Sequence, residues 1–522
     1  MISSHCGGLR LDNILARAAF THPQREAVVF QDQSWTYAEV QENARRFAGA
    51  LAAMGIGKGD RVAIWTANRP EFVEILFGIS QLGAISVPMD HWWTWDDACS
   101  VIEQVRPRVL ILGESHAGLV AEQQEALANS TIEQVICLSG VPAGTDFSLY
   151  RQVLEAASAL PELTPLDAED AAVIFFTSGS TGRSKGAVHS HRSLVAAAMT
   201  MGLEMPLRDG ERTLHFLPLF SSCMEHLIPL TLMRATHIIL PRFDAKAVWQ
   251  AIGKHQVTHF DAIPTTLRRL MDVVPDDIPA SLRSVTYASE RMPESLITEL
   301  HEAMPNVRFA QFYGMIEQLC LTVLDPHEQV RRGSTIGRPM LGAQLYVLDA
   351  QGQVAGKGET GELAARSPTL FSGYWEDPVS TQMVMIDGWM RTGDLGRENA
   401  EGYIVLEGRV KEIIKSGGNT VIPSEIEGVL MQHPGVSEAA VVGIPDEVWG
   451  EAVHAFVIPC NGAAFSEGEL KQFCKQRLAP YKAPKVVHVV ADLPTTGIGK
   501  IARRQVREQF LAREKANRIT GT

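Results

Sequence analysis

Along the first 170 residues the apolar positions switch between helical spacing and short unbroken runs. Phe47 to Met54 reads as a helix that stops at Gly55, and Arg61 to Trp65 as a strand. Glu71 to Leu82 returns to a helix and Ala84 to Pro88 to a strand. A chain that alternates the two periods builds a layered α/β body. Ala172 to Phe176 then reads as a buried strand, Gly186 to Ser190 as another, and Ser193 to Met201 as a helix. No internal repeat or low-complexity tract interrupts this rhythm. No apolar run approaches the roughly 20 residues that a bilayer span needs. The first 20 residues lack a basic flank, a long apolar block and a cleavage site, so no signal peptide is expected.

Composition adds size and compartment. With 522 residues, 45% of them hydrophobic and 20% charged, the chain can fill two or more domains. Its seven cysteines are odd in number, scattered and without a CxxC pair, a pattern that fits a reduced, cytoplasmic protein. The formal charge of −13 argues against non-specific nucleic-acid binding. It does not exclude a nucleotide site, because screening beyond about 8 Å leaves local groups in control. From Arg409 onward the chain carries 15 Lys/Arg against 12 Asp/Glu, a net +3 that leaves −16 for the residues before it. A basic tail after an acidic body suits a lid that handles anions.

The chemistry concentrates where the Ala172 strand empties into Thr177, Ser178, Gly179, Ser180, Thr181, Gly182, Arg183, Ser184 and Lys185. Glycines let a backbone approach an anion, hydroxyls donate to it, and a lysine adds a mobile charge. The glycines stand too close together for a Walker A loop. His189 and His191 sit two apart with no further ligands in view, and read as structural. Trp92, Trp93 and Trp95 read as packing or interface residues. Gly356 to Gly361 matches GxGxxG, but a strand follows it rather than a helix, so it reads as a hairpin turn.

The stretch Ser178 to Gly186 resembles the phosphate loop of the adenylate-forming (AMP-binding) superfamily, in its acyl-CoA synthetase branch, and further motifs follow in the family's order. Gln311 to Glu317 resembles its YGxTE motif, Trp389 to Leu395 its RTGD motif, Gly408 to Gly418 its hinge, and Leu493 to Arg504 its closing PxTxxGKIxRR motif. The resemblance implies that Thr177 to Gly182 and Lys185 hold the ATP phosphates. It also implies that Glu317 carries Mg²⁺, and that Ala288, Ser289, Glu290, Tyr313 and Gly314 border adenine. Asp394 and Arg409 would fix the ribose, and Phe220, Ser221, Met315 and Ile316 would line the acyl pocket. Lys500 would be catalytic beside Glu317, Lys411 would be the hinge, and Gly417 and Gly418 would line the thiol path. The chain departs from the family pattern in three places. Ser221 stands where a histidine is usual, Ile316 where a threonine reaches the phosphate, and Ala288-Ser289-Glu290 is bulkier and more polar than the usual small residues, a change compatible with a polar or charged acid that leaves aliphatic, aromatic and polar acids all open.

The fold implied is α/β and multidomain. A large N-terminal domain, 1–408, holds layered α/β sheets and a β-barrel-like subdomain, and a small mobile α+β lid, 409–522, opens with the hinge and a first strand, followed by a helix that a capping box of Ser424 and Glu427 would start. The reaction implied is ATP-dependent ligation of a carboxylic acid to coenzyme A through acyl-AMP. Loading of a phosphopantetheinyl carrier protein and a non-catalytic nucleotide-binding homologue remain as alternatives, and a homodimer is compatible with the sequence.

Overall fold

The structure is a computed structural model that describes residues 8–157, 165–177, 184–222, 226–290, 292–460, 465–494 and 501–520. The chain divides into two compact units, Met1–Gln344 with Arg366–Gly388, and Leu345–Ala365 with Trp389–Thr522.

Among the described residues the first unit carries an eight-stranded and a nine-stranded sheet. The eight-stranded sheet runs in the order Gly373–Tyr374, Lys185–Ser190, Ala171–Thr177, Ile85–Met89, Arg61–Trp65, Val109–Leu112, Gln134–Cys137, Ser148–Leu149. From Ala171–Thr177 through Ser148–Leu149 the neighbours pair in parallel. Parallel strands need covering on both faces, which is why Ile85–Met89 and Val109–Leu112 are buried at every position. Lys185–Ser190 turns back antiparallel on Ala171–Thr177, and Gly373–Tyr374 closes that edge, also antiparallel.

The expected elements are present with shifted ends. The helix expected from Phe47 starts at Tyr37, because Thr36 and Glu39 form a reciprocal capping box there. It crosses the buried helix Glu71–Leu82 at Gly78, where a Cβ would lie 2.7 Å from the Ala44 carbonyl oxygen. Trp93 and Trp95 pack on the core of this sheet, as expected, while Trp92 stays half exposed. No helix among the described residues is long and apolar enough to cross a membrane.

In the second unit Gly361–Arg366, Trp389–Glu398 and Ile404–Arg409 are neighbours in one small sheet. Gly356 lies in the turn that leads into Gly361–Arg366, and its N–H donates to Glu359 Oε2 at 2.8 Å, so the GxGxxG match is a turn. A second sheet takes Asn419–Val421, Ile414–Ser416, Gly450–Pro459 and Val436–Asp446 in order, with Val486–Val489 beside Gly450–Pro459. Ile426, Leu430, Leu470 and Cys474 of the helices Pro423–Leu430 and Glu467–Lys475 fill its core.

One local expectation fails here. The helix Pro423–Leu430 is capped by Ile422 without a side-chain bond, so Ser424 and Glu427 do not form a capping box. Pro423 already supplies the first helical turn, where its missing N–H costs nothing. Ser424 Oγ instead donates to the Glu407 carbonyl. The Glu427 carboxylate turns inward to Arg503, at 2.8 and 2.6 Å, and accepts the Val441 N–H at 2.8 Å.

Candidate active site

Three segments far apart in sequence meet at one phenol ring. Thr177 and Lys185 face each other as partners across their two strands, and Thr177 Oγ1 lies 3.5 Å from the Lys185 carbonyl. Gly186 is dictated by packing, because a Cβ would sit 2.8 Å from Ile174 Cγ2. Along the outer edge Tyr374 pairs with Ala187, and the Trp375 N–H donates to the Gly186 carbonyl at 2.7 Å. This register brings the Tyr374 ring to the Lys185 ammonium, with Nζ 5.0 Å from the ring centroid, within cation–π range.

The same phenol donates its O–H to Glu317 Oε1 at 2.6 Å. Burial raises the Tyr374 phenol well above its usual value, and the Glu317 charge raises it further, so the donor keeps its proton. A hydrogen bond to an ionised carboxylate is shorter and stronger than a neutral one.

Glu317 is held by its backbone as well. Tyr313 ends the strand Arg308–Tyr313, and Gly314 makes a turn so close that a Cβ would fall 1.5 Å from the Leu319 carbonyl oxygen. The Met315 carbonyl accepts from Gln318 and Leu319 N–H at 3.0 and 2.6 Å, and the Glu317 carbonyl accepts from Phe371 N–H at 2.9 Å. His189 Nε2 donates to the Ile316 carbonyl at 2.7 Å, while Nδ1 meets Ser193 Oγ at 3.1 Å. Burial holds this imidazole down at about 4, against which the Ile316 bond pulls upward, so it is neutral near pH 7. The Ile316 side chain packs against the main core. His191 is also buried and accepts the Leu11 N–H, and no metal-holding cluster occurs among the described residues. Both imidazoles thus bond to groups within the protein, His189 to the Ile316 carbonyl and Ser193, and His191 to the Leu11 N–H.

Around the expected acyl pocket the polarity is largely used up within the protein. Ser221 Oγ lies 3.2 Å from the Pro218 carbonyl inside the short helix Leu219–Ser222, and the Phe220 ring lies edge-on to Trp92, 6.3 Å between centroids. Ala288 is buried, and Ser289 adopts a left-handed backbone with φ of 75°. Glu290 Oε2 accepts the Thr265 N–H at 3.3 Å and its O–H at 2.8 Å. That places the carboxylate at the start of the helix Pro264–Met271, where negative charge is stabilised. The one charged group of this stretch is thus engaged by Thr265.

In the second unit Asp394 is buried and pairs with Arg409 at 3.1 Å across adjacent antiparallel strands. Lys411 lies in the single 3-10 turn Val410–Glu412. Gly417 and Gly418 form the two-residue turn between Ile414–Ser416 and Asn419–Val421, with φ of 56° and 78°. Two successive positive values are the signature of a tight hairpin that favours glycine. Ser178, Gly179, Ser180, Thr181, Gly182 and Lys500 lie outside the described residues.

Sequence reasoning missed Tyr374 and the anchoring role of His189. No motif spacing marks either one: Tyr374 comes to Lys185 through the pairing of Gly373–Tyr374 with Lys185–Ser190 and bonds Glu317 from there, and His189 meets Ile316 across 127 positions of chain.

The profile of the AMP-binding enzyme family matches residues 15–375, and that of the AMP-binding enzyme C-terminal domain matches residues 425–500. An indoleacetate–CoA ligase of Aromatoleum aromaticum is 32% identical over 513 residues, covering 97% of this chain and 99% of its own. Among solved structures, ATP-bound MatB from Rhodopseudomonas palustris superposes with a TM-score of 0.87 at 27% identity, over 96% of this chain and 99% of its own. The o-succinylbenzoate CoA synthetase MenE of Bacillus subtilis, in complex with its acyl-adenylate intermediate, gives 0.84 at 28% identity, over 95% and 98%.

Proposed function

This chain belongs to the AMP-binding enzyme family, and on that premise we propose that it is an ATP-dependent carboxylic acid–CoA ligase. The acid attacks the α-phosphorus of ATP, pyrophosphate leaves, and the resulting acyl-adenylate passes its acyl group to the thiol of coenzyme A. A carboxylate is a poor electrophile because its charge repels nucleophiles and oxide leaves badly, and linkage to AMP removes both obstacles. The supporting relatives carry names that describe CoA ligases, and one superposed neighbour holds an acyl-adenylate.

The observation that carries the reading is the convergence of Lys185 and Glu317 on Tyr374. A cation beside a hard carboxylate suits a Mg²⁺-bound polyphosphate, since Mg²⁺ takes one or two carboxylates together with phosphate oxygens. Glu317 would hold the metal, which neutralises phosphate charge when bound. Lys185, with the hydroxyl-rich segment Ser178 to Thr181, would steady the departing pyrophosphate. Asp394 would accept both ribose hydroxyls, a task suited to an acceptor-only carboxylate, with Arg409 beside it. Lys500 would bridge the acid and the α-phosphate. Little covalent help is needed, so the residues work by position and charge.

The test is acid-dependent ATP–pyrophosphate exchange across a panel of aliphatic, aromatic and polar acids, followed by thioester formation with CoA. Exchange with at least one acid and a CoA thioester are expected. Nucleotide binding without exchange on any acid would leave a non-catalytic homologue. Exchange followed by transfer to a phosphopantetheinyl carrier, but not to CoA, would indicate the carrier-loading chemistry instead. Lys500→Ala should lower adenylate formation by about 100-fold or more while still converting supplied acyl-adenylate to thioester. Equal loss of both steps would remove that role.

A further inference from the structure

We propose that Tyr374 is a positioning residue that sets the aim of the Glu317 carboxylate and the station of the Lys185 ammonium together, so that cation affinity and phosphate charge are tuned through one side chain. The inference rests on the reading above in which Glu317 carries the divalent cation.

The geometry is specific on both sides of the ring. The O–H is 2.6 Å from Glu317 Oε1, and the face lies 5.0 Å from Lys185 Nζ. A glutamate side chain has three rotatable bonds, and a donor that takes one of its oxygens fixes where the other points. Outer groups that hold a metal-binding carboxylate commonly change metal affinity by about 10- to 100-fold when removed. The ring itself is fixed from behind. Tyr374 N–H donates to Thr381 Oγ1 at 2.9 Å, its neighbours pair with Gly186 and Val188, and Phe371 packs edge-on at 5.0 Å between centroids. Phe371 also donates its N–H to the Glu317 carbonyl, so the backbone and the side chain of Glu317 are both held from the segment 371–374.

The experiment measures Mn²⁺ binding by electron paramagnetic resonance in the presence of α,β-methylene-ATP, whose bridge resists cleavage, for the wild type, Tyr374→Phe, Tyr374→Leu and Glu317→Gln. Tyr374→Phe keeps the ring and the edge strand and removes only the O–H. It should raise the Mn²⁺ dissociation constant about 10-fold or more and leave metal-free nucleotide affinity unchanged, with a small fall in melting temperature from the lost hydrogen bond. Tyr374→Leu should add a several-fold loss of metal-free nucleotide affinity, because Lys185 loses its ring. Unaltered Mn²⁺ affinity in Tyr374→Phe, with weakened affinity in Glu317→Gln, would overturn the positioning role and leave the Mg²⁺ assignment standing. Unaltered Mn²⁺ affinity in Glu317→Gln would overturn that assignment and this inference with it. Equal metal-free nucleotide loss in Tyr374→Phe and Tyr374→Leu would overturn the part assigned to the ring.

Discussion

A single buried carboxyl shows how far local environment can move the chemistry of a residue. Glu74 sits inside the helix Glu71–Leu82, where Tyr150 donates to Oε1 and Asn43 to Oε2, each at 2.8 Å. Burial pushes it up to about 7, against the pull of those two bonds. A carboxyl whose folded value lies above its unfolded one favours the folded state most below the unfolded value of about 4.5. That contribution is lost as pH rises through about 7. Glu74→Gln should therefore be more stable relative to wild type at pH 8.5 than at pH 5, by about 2–3 kcal/mol. Urea unfolding of both proteins at the two pH values checks this. At the same scale, Glu317, Asp394 and Gly314 stand out in the sequence because each belongs to a run of neighbours that resembles a motif of the family. Tyr374 does not, because its task is created by a strand pairing with residues almost two hundred positions earlier.

At the scale of elements, apolar periodicity locates the interiors of helices and strands, and polar residues decide where they end. Thr36 starts a helix well ahead of its apolar stretch, and Ile422 starts another where Ser424 looks the better cap. Glu290 shows the same ambiguity between substrate recognition and structure. Its carboxylate meets the first turn of the helix Pro264–Met271 through Thr265, a contact between segments that no spacing in the chain reveals. Glu290→Ala should destabilise the first unit by about 1 kcal/mol, as loss of a helix cap does, seen as a lower urea midpoint. It should leave the ranking of acids in the exchange assay unchanged. A reordered ranking would return Glu290 to the acyl pocket. Gly186→Ala tests the tight seam between strands. With Ile174 Cγ2 only 2.8 Å from the new Cβ, a loss of about 1–3 kcal/mol is expected in the same unfolding experiment.

At the scale of the whole molecule, the α/β character and the motif order were legible in the sequence, because both depend on neighbours along the chain. The division into compact units was not, because it depends on which distant segments pack together. The boundary expected at Arg409 lies inside the second unit, which also takes in Leu345–Ala365 and Trp389 onward. If Lys411 is the hinge between the two half-reactions, Lys411→Pro should spare pyrophosphate release and suppress thioester formation, and unimpaired thioester formation would remove the hinge. The chain passes between the two units after Gln344, after Ala365 and after Gly388, and from Trp389 it stays in the second. A body tied by several cords cannot spin, whereas one that hangs from a single cord can. The small sheet built from both visits is tethered by three such cords, and everything beyond Lys411 by one, so a swivel would take least rethreading in the last stretch and would begin by releasing Ser424 from Glu407.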